Sequence, residues 1–106
     1  MTALPRLLAA GAVATALVAS PASAQAAGSG TLNDPWVPMR SAHTTCESTT
    51  LFGNYYNGAH YDPIASLPRG TWIGVRYITG DGRSADVLWH YHDKWGFMLR
   101  SCFAFD

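Results

Sequence analysis

The sequence predicts an all-β domain, a small barrel or meander of about five to seven short strands, and three observations carry that reading. First, two segments alternate cleanly. In Thr71–Ile78, Ile73, Val75 and Tyr77 take one face and Trp72, Gly74 and Arg76 the other, and in Ala85–Tyr91, Val87, Trp89 and Tyr91 share a side. Second, Gly, Pro and Asn punctuate the chain at short intervals, as strand turns require. Third, past residue 26 no helical period runs longer than one turn, and no repeat or heptad is present.

The first 26 residues read differently. Arg6 supplies a positive start, Leu7–Val18 is an apolar run of 12 residues, and Pro21 ends it. Ala22-Ser23-Ala24 or Ala24-Gln25-Ala26 then offers a small-x-small cleavage site. This is the pattern of a secretory signal peptide. The run is well short of the ~20 residues that span a bilayer. The expected product is an exported domain of about 80 residues, one core's worth of chain.

Ala27–Asn33 is rich in Gly, Ser and Ala, so residues 27–34 are expected to be a flexible N-terminus, with the ordered domain over 35–106. Trp36–Arg40 is expected as a short edge strand, because Pro35 and Pro38 exclude a central one. Ser41–Thr50 is polar and reads as loop. Leu51–Tyr61 is either a small hairpin or a longer surface excursion, with Asn57-Gly58 as a strong turn pair. Ile64–Leu67 is a short apolar piece. Pro68-Arg69-Gly70-Thr71 and Thr79-Gly80-Asp81-Gly82-Arg83 are turns on either side of the clearest strand. His92-Asp93-Lys94 is the next turn, and Trp95–Leu99 and Cys102–Phe105 complete the set.

Charge and cysteines narrow the function. Beyond the signal segment six basic residues face seven acidic ones, a net charge of −1 with His neutral. Nucleic-acid binders need a clustered positive face, and anionic lipid needs a polybasic stretch; neither is present. Neither a nucleic-acid partner nor, after cleavage, a membrane one is therefore expected, and a monomer is the expected state. Cys46 and Cys102 are the only cysteines, and in an oxidising compartment they have one way to pair. Closing that loop of about 55 residues is worth about 4 kcal/mol on chain entropy.

All 13 aromatic residues fall after the signal segment. They serve either as bulky strand residues in a thin core or as an exposed platform. Trp72, Tyr56, Tyr61 and Trp95 are the candidate ligand-binding rings, because a planar ring offers apolar area with little rotamer entropy to lose. Trp72 leads by its face, and Trp89 is assigned to the core. Arg76 and Arg40 can pair with acidic groups of a ligand. Alternatively they pair with an internal carboxylate such as Asp86. His90 and His92, with Asp93, suggest a metal site if the strand continues through them, since i and i+2 share a face. No further ligand is placed by spacing, so no metal or other cofactor is expected.

Several pieces resemble bacterial SH3-like domains of the kind exported by actinobacteria. Met39-Arg40-Ser41 is similar to that family's opening segment, and Leu67-Pro68-Arg69-Gly70-Thr71 to the step before a strand. Trp89 sits at a common strand-tryptophan position. Trp95-Gly96-Phe97-Met98 is similar to the closing signature, and Arg100-Ser101-Cys102-Phe103 follows it as a last strand. The resemblance implies an SH3-like barrel without catalytic residues, often cell-wall associated, that binds a cell-envelope peptide or another extracellular protein. A different resemblance is to small secreted guanyl-specific ribonucleases, through Arg76-Tyr77-Ile78-Thr79-Gly80 and the order Asp62, Arg76, His92. It implies a carboxylate base, a phosphate-holding arginine and a histidine acid.

Overall fold

The computed structural model describes residues 26–106. The signal-peptide reading of 1–26 therefore falls almost wholly outside the described residues. Among the described residues seven strands follow one another: β1 (Arg40–Thr44), β2 (Ser48–Tyr56), β3 (Ala59–Pro68), β4 (Trp72–Ile78), β5 (Ser84–Trp89), β6 (Lys94–Leu99) and β7 (Phe103–Phe105). They form one antiparallel sheet in the order β3-β2-β6-β5-β4-β1-β7. The all-β class is as predicted. The hydrogen-bonded ladder does not close into a barrel, and β3 and β7 are its two edges. Among the described residues no helix is long and apolar enough to cross a membrane.

The sheet is nonetheless coiled. Ala42, Leu51, Leu67, Ile73, Val75, Ala85, Val87, Met98 and Phe103 pack in one cluster, drawn from all seven strands. A flat sheet would hold β3 and β7 far apart; only a rolled one gives its first and last strands a common core. Two bulges sharpen the bend. One lies where β3 gains a residue opposite the Leu51–Phe52 step of β2. The other sits in β4, where Val75 faces Val87 but Tyr77 already faces Asp86.

The β4 bulge corrects the expected alternation. Arg76 is the extra residue, so Ile73 and Val75 stay buried while Tyr77 turns outward against Phe97 and Ile78 packs on the core instead. β5 also ends earlier than expected, at Trp89. His90–His92 is a 3-10 turn that closes on Asp93 in the left-handed region, at φ 51°. Tyr91 consequently leaves the side shared by Val87 and Trp89 and stands 77% exposed.

The long segment after Leu51 is a hairpin. Asn57 and Gly58 have φ of 53° and 77° between the paired Tyr56 and Ala59, the two positive dihedrals of a two-residue type I′ loop. The expected loop over Ser41–Thr50 is instead β1, a short connection and the start of β2. β1 hides from a hydropathy reading because its inward residues are the small Ala42 and the polar Thr44, whose hydroxyl donates to Pro68 O at 2.8 Å. Conversely, the expected edge strand over Trp36–Arg40 reduces to a single bridge between Val37 and Ala27, and the ladder begins at Arg40. Pro35 and Pro38 have no N–H to give.

Residues 27–34, expected to be free, are docked. Ile78 N donates to Gly30 O at 2.9 Å, and Trp36 N donates to Arg76 O at 2.8 Å. Gly30 is buried at φ 78° under the Trp36 indole, and a Cβ there would lie 2.2 Å from the ring. The predicted disulfide is present: Cys46 and Cys102 are bonded, with Cα atoms 4.9 Å apart. It ties the β1–β2 connection to the 3-10 turn Arg100–Cys102 ahead of β7.

Candidate functional site: an aromatic strip on the outer face of β4

β4 presents Trp72, Gly74 and Arg76 away from the core. Trp72 is anchored at its polar end. Its Nε1–H donates to Ser41 Oγ at 2.9 Å, and Ser41 in turn donates to the Asp106 carboxylate. His43 holds the same carboxylate through Nδ1 at 2.6 Å. These contacts, Ser41 first and His43 second, keep the Asp106 carboxyl below its ordinary range. The His90 ring stacks on the Trp72 indole at 3.9 Å, and Tyr91 meets its edge at 5.7 Å.

Gly74 lets the strip continue across the strand. With no side chain of its own, it is covered by His90 and Met39; a Cβ would lie 2.9 Å from His90 Nε2 and 3.1 Å from Met39 Sδ. Beyond it, the Arg76 guanidinium lies over the Trp95 ring at 4.7 Å and pairs with Asp86 at 2.7 Å. The internal pairing suggested by the sequence is thus the one Arg76 makes. Burial pushes the Asp86 carboxyl up, with Arg76 pulling the other way. Arg76 and Trp95 form one wall of a groove of about 370 Å³, and Pro35–Met39 forms the other.

The five candidate binding residues therefore fall in two places. Trp72, Arg76 and Trp95 share the strip. Tyr56 and Tyr61 stand at the β2–β3 hairpin, stacked on each other at 4.5 Å and both exposed. Tyr56 also borders a second cavity of about 390 Å³ with Tyr55, Tyr77, Phe97 and Asp81. There the Tyr55 hydroxyl donates to Asp81, whose carboxyl is held down at about 2 by Tyr55, then Thr79 and the Arg83 amide.

The residues of two patterns suggested by the sequence engage other partners. His90 stacks on Trp72 and His92 on Trp89, at 3.7 Å, because the segment is a 3-10 turn rather than a strand. Among the described residues no three His, Cys, Asp or Glu side chains converge as metal ligands. Asp62, Arg76 and His92 each engage a different partner: Asn54, Asp86 and Trp89 respectively.

Three residues take places that the sequence does not announce. Met39 and His90 belong to the strip only because the chain folds over Gly74, which no local pattern announces. His60 lies 2.8 Å from Ser84 Oγ, and Ser84 donates its single proton to Met98 O at 3.1 Å, so the imidazole Nε2–H is the donor. The pair has the elements of a nucleophile and its base, but Ser84 is fully buried with its proton committed, so the bond is structural. Burial also pushes the His60 pKa down.

In comparisons with known proteins, the chain matches no family model, no curated protein and no solved structure.

Proposed function

We propose that the chain is a secreted, disulfide-stapled binding domain, without enzymatic activity, that reads an envelope peptide or another extracellular protein with the outer face of β4. The observation that carries this is the strip itself. Trp72 and Trp95 keep 37% and 44% of their surface in solvent although the core has every reason to take large rings. Both are held in fixed orientations, one by Ser41 and His90, the other by Arg76. Exposed, pre-ordered rings beside an apolar groove are what a peptide needs to bury its side chains at low entropic cost.

Export and kinship with bacterial SH3-like domains belong to the same reading. The Cys46–Cys102 bond and the Leu7–Val18 pattern support export. The coiled antiparallel sheet and the turn over Pro68–Thr71 leading into β4 support the kinship.

Retention on insoluble cell wall tests it. The purified domain should be held, and Trp72→Ala should weaken retention roughly tenfold, the effect of losing one buried anchor ring. Flow-through of the intact protein, or RNA turnover that vanishes in His92→Ala, would replace the proposal with a different activity.

A further inference from the structure

We propose that Arg40 and Arg100 form an oxyanion-binding site, separate from the strip on β4. The Arg40 guanidinium lies 3.6 Å from the centre of the Phe105 ring and 4.9 Å from Trp36. The Arg100 guanidinium lies 5.2 Å from the same Phe105 ring and 4.8 Å from Phe103. Two cations thus meet on one ring. All seven carboxylate residues of the sequence lie among the described residues. The ion pairs there are Arg76–Asp86 and His43–Asp106, and neither takes Arg40 or Arg100. The nearby Asp106 is held by Ser41 and His43. Arg69, Arg83 and Lys94, also without a carboxylate, differ in being exposed, whereas Arg40 and Arg100 are half-buried among rings.

The chemistry follows from the geometry. Ring contact orders each guanidinium and leaves its N–H edge as the free surface. The edge is the part that grips a carboxylate or phosphate in two parallel bonds. Arg100 spends one donor on Phe103 O at 3.2 Å, and among the described residues the remaining donors of the pair have no acidic partner. The two distances to one ring centre, 3.6 and 5.2 Å, put the guanidinium carbons no more than about 8.8 Å apart, within the span of a single oxyanion gripped from both ends; like charges that close repel, and an oxyanion reaching both turns that repulsion into attraction. The ligand is therefore one that carries a carboxylate, phosphate or sulfate group. The inference stands on these charges and rings alone; it survives if the β4 strip binds nothing.

The test is a titration of the ¹⁵N-labelled protein at constant ionic strength, following the arginine Nε–H signals. Inorganic phosphate is the probe in one arm and acetate in the other. Saturable shifts of Arg40 and Arg100 together, with Arg83 unmoved, are expected in at least one arm, and the arm that responds tells phosphate-type from carboxylate-type ligands. Arg40→Gln should weaken the Arg100 response at least tenfold. Arg100→Lys, which keeps the charge and loses the fork, should give an intermediate loss at Arg40 and serves if the first variant does not fold. Linear shifts of the same size at Arg83, or an Arg100 response untouched by Arg40→Gln, would overturn the proposal. Cell-wall retention lost in Trp72→Ala with the phosphate or acetate shifts intact would show the two sites to be independent.

Discussion

The chain from β4 to β6 and the pieces at its two ends are built on different principles. β4, β5 and β6 are consecutive, pair in sequence order, and are joined by turns whose residues sit beside them. The docked segment 27–39, β1 and β7 take their partners from far along the chain: β1 pairs with β4 and β7, Gly30 with Ile78, and Cys46 with Cys102. The first region is held by local pattern; the second is held by closure of long loops. Closure of that kind costs chain entropy that local contacts do not repay. The ends should therefore depend on the disulfide and on Trp36 in a way the β4–β6 meander does not.

The largest expected effect is on the disulfide. Cys46→Ala with Cys102→Ala should lower the unfolding free energy by about 4 kcal/mol. Amide exchange should accelerate first in β1 and β7, with β4–β6 protected longest. Simultaneous loss of protection in both regions would erase the contrast. Next comes the meander's own centre: Ile73 is fully buried, and Ile73→Ala should cost about 3 kcal/mol in denaturant unfolding, with both regions lost together.

Gly30→Ala addresses the other side. A methyl group cannot fit beneath the Trp36 ring, and φ 78° disfavours any side chain. The segment should lift off at a cost of about 1–2 kcal/mol. A red shift in Trp36 fluorescence would report it, with the β4–β6 amide spectrum unchanged.

The smallest effect is pH-dependent and local to the β4–β5 turn. The Asp81 carboxyl titrates at about 2 in the fold against 3.8 when free, so between those values the unfolded chain binds more protons. Stability should be level above about pH 4 on this account and fall as the pH drops toward 2. Asp81→Asn should flatten that slope. Asp86, pushed up by burial, acts in the opposite sense above its free value, favouring the fold while it stays protonated.

The same contrast explains what could be read from the amino acids. β4, β5, β6, the Asn57-Gly58 turn and the glycine turns are legible because alternation and turn chemistry are local signals. Tyr77 takes the face opposite to the one its alternation predicts because one bulge shifts the face of every later residue in the strand, and a bulge at Arg76 leaves no mark in composition. β1 looks like loop in the sequence because its inward side chains are Ala42 and Thr44. The docked segment looks flexible in the sequence because its affinity for the sheet resides in Gly30 and Trp36, residues that resemble linker and surface until the ring lies over the glycine. At the candidate site, the outward face of Trp72 is legible because its strand alternates cleanly. Met39 and His90 escaped because they reach Gly74 from outside the strand.

The central claim is that the outer face of β4 meets a ligand while the core tryptophan does not. The indole N–H signals of Trp72, Trp95 and Trp89, recorded as soluble cell-wall fragments are added, test it most directly. The account predicts saturable shifts at Trp72 and Trp95 with Trp89, which packs on the core, unmoved. Three unmoved signals at saturating fragment, or a shift confined to Trp89, would contradict it.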